Sequence, residues 1–186
     1  MMRGVSLVLT VASVQATTFE LFELPASASP HPYCNDGTQA GYYHDTDYSK
    51  LGKVHVHLQG GNLCENDEVC QARCDRDGDG VVDNRLCTAS SRQVMVKEGG
   101  LYSNLSDNPL ADYWHVIVPY CSSDTWAGTG RSPHTGYYFH GKYILRSLTL
   151  PFHGHTYPYR DVLKSLKHHY GLSSASDFIL SGEYSV

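Results

Sequence analysis

Residues 53–61 read Lys53-Val54-His55-Val56-His57-Leu58-Gln59-Gly60-Gly61, an alternating run that ends abruptly in two glycines. Period two puts Val54, Val56 and Leu58 on one face of a strand. A strand with one apolar face must be covered by another layer. The glycines then give an exit where backbone can come close to a partner without a side chain in the way. A buried strand thus feeds a glycine loop, and this feature sets the frame for the rest of the chain.

Two more segments have strand character. Trp114-His115-Val116-Ile117-Val118 is strongly β-prone and is stopped by Pro119. Asp177-Phe178-Ile179-Leu180 is short and apolar and runs into Ser181-Gly182. Tyr42-Tyr43-His44 fits a further strand after Asp36-Gly37, whose glycine supplies the positive φ of a tight turn. Between these lie a short helix over 65–74, loops over 75–93 and 122–136, a helix over Tyr138 to Leu150 and another over Asp161 to Tyr170, closed by Gly171. This order predicts an α/β fold with a mostly parallel sheet and flanking helices.

Hydrophobic residues make up 41% and charged residues 18% of the 186, a globular balance. The net charge of −5 argues against nucleic acid as a partner, because phosphate binding needs a basic stripe. No apolar run reaches the roughly 20 residues that span a bilayer.

The first sixteen residues have a basic start, Met1-Met2-Arg3, an apolar stretch from Val5 to Val14, and Val14-Gln15-Ala16 where signal peptidase cuts. The alternative is a buried first strand or helix. A signal peptide implies secretion and places 17–32 as a leader into a domain over 33–186. Behind it stand six cysteines, Cys34, Cys64, Cys70, Cys74, Cys87 and Cys121. An even count in a secreted chain favours disulfides, of which six cysteines allow fifteen arrangements. Asn104-Leu105-Ser106 is a glycosylation sequon.

Four segments in order are similar to the Notum/pectin acetylesterase family. They are Cys34-Asn35-Asp36-Gly37-Thr38-Gln39-Ala40-Gly41-Tyr42-Tyr43, His57-Leu58-Gln59-Gly60-Gly61-Asn62-Leu63-Cys64, Pro119-Tyr120-Cys121-Ser122-Ser123-Asp124-Thr125-Trp126-Ala127-Gly128, and Phe178-Ile179-Leu180-Ser181-Gly182. The resemblance covers roughly residues 33–182 and implies an α/β-hydrolase-like fold and hydrolysis of a carboxylic ester by a serine nucleophile. The esters it implies are those of a polysaccharide or an acylated protein. It gives the Gly61 and Asn62 N–H groups the role of oxyanion donors; a tight turn with no catalytic role is the alternative. It pairs Cys34 with Cys121 and Cys64 with Cys70, which leaves Cys74 for Cys87.

The chain departs from the family pattern at three places. Gln59 stands where the family has Glu, and the aromatic residue expected near Asn62-Leu63 is missing. In Gly182-Glu183-Tyr184-Ser185-Val186, Tyr184 falls where the nucleophilic serine belongs, and Ser185 is one position late. No triad residue transfers to this sequence, so the chain is expected to be a catalytically incomplete, truncated N-terminal portion of such an enzyme. A secreted binding protein without catalysis is the rival reading.

The eleven histidines lack the spacing that makes a zinc site specific, and no cofactor is expected. Asp75-Arg76-Asp77-Gly78-Asp79-Gly80 has the first half of a calcium loop, with Asp75, Asp77 and Asp79 at alternate positions and glycine at the sixth. Leu86 rather than glutamate stands at the twelfth. A solvated acidic loop is the alternative to a calcium-stabilised module.

Overall fold

A computed structural model describes residues 16–24, 30–75, 78–79, 86–89, 94–97, 99–147 and 175–183. Within them, eight strands and two helices run β1 Thr17–Glu23, β2 Gly41–Asp45, β3 Lys53–Leu58, α1 Asp67–Cys74, β4 Val94–Lys97, β5 Trp114–Val118, β6 Gly130–Arg131, β7 Tyr138–Phe139, α2 Gly141–Ser147 and β8 Asp177–Gly182.

Six of the strands form one sheet in the order β4-β1-β2-β5-β3-β8, and β6 and β7 form a separate ribbon. The sheet is mixed rather than mostly parallel. β3 is parallel to β5 on one side and to β8 on the other, with Val54 opposite Trp114 and Phe178. β4, β1, β2 and β5 pair antiparallel. Part of the difference lies in 17–32, which begins not as a leader but with β1, paired to β2 from Phe19↔Asp45 to Glu23↔Gly41. Thr17 and Phe19 are buried while Thr18 and Glu20 are exposed, the alternation of a strand with one covered face. β4, also absent from the sequence reading, extends the antiparallel side.

β5 is buried along its whole length because strands flank it and both faces are covered. On one face, Val54, Val56, Trp114, Val116 and Val118 pack with Tyr42, Leu24 and the Cys34–Cys121 bridge, and Ile144 and Leu145 of α2 cover them. On the other, Phe19, Tyr43 and Ile117 pack together, with Leu21 and Tyr102 against them.

The expected helix over Tyr138 to Leu150 starts at Gly141. Tyr138 and Phe139 instead pair with Arg131 and Gly130, and the Asn35 amide donates to the Tyr138 carbonyl at 2.7 Å. The helix expected over Asp161 to Tyr170 lies outside the described residues, as does the region of the expected signal peptide up to Gln15. α1 is capped by the Asn66 side chain, which accepts from Val69 N–H at 2.9 Å, and carries Asp67 and Glu68 in its first turn. The cysteines pair Cys34–Cys121, Cys64–Cys70 and Cys74–Cys87, so α1 is bridged from both of its buried cysteines.

Candidate active site

The chain leaves β3, forms β5 on one side, and returns to form β8 on the other. In open α/β sheets such a reversal opens a crevice at the carboxyl ends of the strands, where ligands bind. Gln59-Gly60-Gly61-Asn62 sits at that end of β3. Gln59 N–H donates to the Val118 carbonyl at 3.0 Å, and Glu183 N–H to the Leu58 carbonyl at 3.0 Å. The glycine loop therefore lies between the ends of β5 and β8.

Gly61 has no room for a side chain. A Cβ there would stand 2.7 Å from Tyr120 Cδ1 and 2.9 Å from Arg73 Nη2. Tyr120 is fully buried, and its hydroxyl accepts from Thr125 N–H at 2.6 Å. Arg73 stacks over the Tyr120 ring, 5.9 Å to its centroid, and donates to Ser123 Oγ at 2.9 Å. Cys64 N–H then donates to the Ser123 carbonyl at 2.9 Å. Gly61 is thus wedged against residues 120–125, while Asn62 is exposed.

That second segment is itself tightly organised. Ser123, Thr125 and Trp126 adopt φ of 50°, 54° and 62°, a region disfavoured for residues with side chains. Asp124 holds the turn from inside. Its Oδ1 accepts from Ser122 Oγ at 2.6 Å and Trp126 N–H at 3.1 Å. Its Oδ2 accepts from Gly128 N–H at 3.1 Å and from Gly141 N–H, at the start of α2, at 2.7 Å. Burial pushes the Asp124 carboxyl above its ordinary value, and these donors pull the other way.

Beside the glycine loop, three histidines meet on the polar face of the parallel strands. Register puts His55 opposite His115, and His57 opposite Ser181. His55 Nδ1 lies 2.9 Å from His115 Nδ1, and His55 Nε2 lies 2.7 Å from Ser181 Oγ. His57 Nδ1 is 2.8 Å from the same Ser181 oxygen, and His57 Nε2 is 3.4 Å from Glu183 Oε1. The other Glu183 oxygen accepts from Gly60 N–H at 3.2 Å. Burial pushes His55 down to about 4 and His115 down to about 3, so both rings are neutral at ordinary pH. Tyr102 lies across this group, its ring centroid 5.3 Å from that of His115, and desolvation raises its hydroxyl pKa.

The sequence model of the family described as pectinacetylesterase matches residues 12–185. The chain belongs to the pectinacetylesterase family. Among curated relatives, it is 38% identical over 120 residues to palmitoleoyl-protein carboxylesterase notum2 of Xenopus laevis, covering 62% of this chain and 23% of that protein. It is 38% identical over 130 residues to palmitoleoyl-protein carboxylesterase NOTUM of Schmidtea mediterranea, covering 68% and 23%. It is 33% identical over 156 residues to notum1a of Danio rerio, covering 80% and 26%. The chain thus spans about a quarter of the length of the curated relatives it matches.

Gly61 and Asn62 stand in the loop at the end of β3, and their N–H groups donate to no protein group among the described residues. Tyr184 lies just beyond the described residues. Asp75 Oδ1 accepts from the N–H groups of Gly78 and Asp79 at 2.8 and 3.1 Å, Asp79 is exposed, and Asp77 is outside the described residues. Among the described residues no group of three potential metal ligands comes together. Asn104 is exposed, and its Oδ1 accepts from Lys50 Nζ at 3.1 Å. No helix among the described residues is long and apolar enough to cross a membrane.

Sequence reasoning missed His115, Ser181 and Glu183 as members of one constellation. The alternation of His55 and His57 was visible. That His115 and Ser181 share their face depends on the parallel register of three strands far apart in sequence.

Proposed function

We propose that this chain supplies the oxyanion side of a serine carboxylic ester hydrolase that acts outside the cell on an acylated protein or an esterified polysaccharide. Gly61 and Asn62 N–H would receive the charge that develops on the ester carbonyl oxygen. The observation that supports this reading is the Gly60 N–H donating to Glu183 Oε2 at 3.2 Å, an amide of this loop already turned toward a carboxylate oxygen. Family membership and the wedging of Gly61 support it, because a preorganised donor costs no rearrangement when charge develops. The names of the relatives favour an acylated protein, and the disulfides fit an oxidising compartment.

A polypeptide limited to these residues is expected to leave esters intact, because the elbow register puts a phenol at Tyr184 where a serine alkoxide is needed. The test is a chimera in which residues 16–183 replace the matching segment of the Schmidtea mediterranea relative, assayed with p-nitrophenyl acetate beside the 186-residue chain. The chimera is expected to hydrolyse the ester and the short chain is not. Asn62→Pro in the chimera removes one N–H and is expected to lower kcat by roughly 100-fold or more. An unchanged kcat would remove Asn62 from the oxyanion site.

A further inference from the structure

The histidine cluster contains enough hydrogen-bond information to fix where each proton lies. A carboxylate can only accept, so Glu183 Oε1 requires a proton on His57 Nε2. A neutral imidazole carries one proton, so His57 Nδ1 accepts, and the Ser181 hydroxyl donates to it. With its proton committed, Ser181 Oγ must accept from His55 Nε2–H. His55 Nδ1 is then bare and accepts from His115 Nδ1–H. The series ends at His115 Nε2, a buried nitrogen without a hydrogen-bond partner among the described residues. A backbone hydrogen bond to the Leu110 carbonyl raises the His115 pKa against burial, while Nε2 itself has no partner of ordinary hydrogen-bond geometry among the described residues. In this sense of travel the orphan is an acceptor. The reverse sense would leave an orphan N–H there and would demand a second proton on His57.

We propose that Glu183 and Ser181 are positioning residues. Through this one-directional run from His115 by way of His55, Ser181 and His57, they hold the Glu183 carboxylate against Gly60 N–H and so orient the glycine loop. The inference rests on the reading of that loop as the oxyanion side of the site. It adds that Gly60 N–H is already taken, which leaves Gly61 and Asn62 N–H for the substrate. Strand register sets the spacing, since His55 faces His115 and His57 faces Ser181 across parallel pairs. Burial keeps the inner part of the run free of competing water, because His55 and His115 are fully buried and His57 nearly so.

Nitrogen-15 NMR of the histidines in the 186-residue chain at pH 8 reads each tautomer directly. The expected pattern is Nε2–H for His57, Nε2–H for His55 and Nδ1–H for His115. Glu183→Lys replaces an acceptor with a group that can only donate. It is expected to invert the whole run, so that His115, buried and four hydrogen bonds away, becomes Nε2–H. Ser181→Ala combined with Glu183→Lys cuts the run and is expected to leave His115 unchanged, while Ser181→Thr keeps the hydroxyl and restores the inversion. Amide exchange at Gly60 is expected to speed up roughly tenfold in Glu183→Ala and to stay near the parent rate in Glu183→Gln, which keeps an acceptor. An Nε2–H tautomer at His115 in the parent chain, or Gly60 exchange indifferent to Glu183→Ala, would overturn the proposal. These readouts need no turnover. An inactive chimera with the expected tautomers would sink the ester hydrolase reading and leave the relay standing.

Discussion

One face of β3 and β5 is held together by volume and the other by direction. On the first, Val54, Val56, Trp114, Val116 and Val118 meet Ile144 and Leu145 of α2 in an apolar layer. On the second, at the same depth and on the same strands, His55, His57 and His115 are linked by hydrogen bonds that run one way to Glu183. Apolar contacts tolerate any partner of similar size, whereas a chain of tautomers fails if one proton is misplaced. Burial is therefore a poor guide to what a face does.

Acid should separate the two faces most strongly. The folded rings of His55 and His115 resist protonation down to about 4 and about 3, while unfolded imidazoles take up protons below their ordinary 6.5. The unfolded state thus binds more protons in that window, and stability falls as pH falls through it. Two such groups give a slope of about 2.7 kcal/mol per pH unit, and a loss on the order of 5 kcal/mol between pH 6.5 and 4. Asp45 and Asp124, which burial pushes up, act in the opposite sense nearer the carboxylate range. Urea midpoints measured from pH 7 to 5 report the slope, and a flat profile would erase the distinction between the faces.

Ile144→Ala probes the apolar face. Ile144 is fully buried between α2 and the sheet, and its truncation is expected to cost about 3 kcal/mol at pH 7. The acid slope should be unchanged, because the cavity opens away from the histidines. An altered slope would mean that the faces are coupled through the strands. Gly61→Ala is the mildest test. Its Cβ meets the fixed Tyr120 ring and the end of the longer Arg73 side chain, and the Arg73 end can move aside. About 1–2 kcal/mol of stability is expected to be lost in thermal melting. In the chimera the same change should reduce kcat by more than the loss of folded protein explains.

Much of this was legible in the sequence, and the exceptions have physical causes. β3, β5 and β8 announce themselves by alternation or by β-branched runs, and the glycine pair marks the loop. β1 went unread although Thr17, Phe19 and Leu21 alternate with Thr18 and Glu20, because Phe22 puts an apolar side chain on the second face and blurs the period. Losing that strand made the sheet look mostly parallel. The start of α2 was misplaced because its cap comes from Asp124, seventeen residues earlier, so no local signal marks Gly141. Within the site, Gly61 could be singled out from its motif. The union of His55, His115 and Ser181 exists only once three strands are in register.

The turn at Ser123, Thr125 and Trp126 has a further effect on what the chain can tolerate. Three left-handed residues in four would ordinarily invite glycine, yet here the Asp124 carboxylate sets the backbone by gathering Ser122, Trp126, Gly128 and Gly141 around itself. The segment works like a knot tied around one carboxylate: residues 122–128 and the first turn of α2 keep their mutual alignment as long as that single side chain stays in place. Replacing any one of the three left-handed residues with glycine should ease the knot, and replacing Asp124 should undo it.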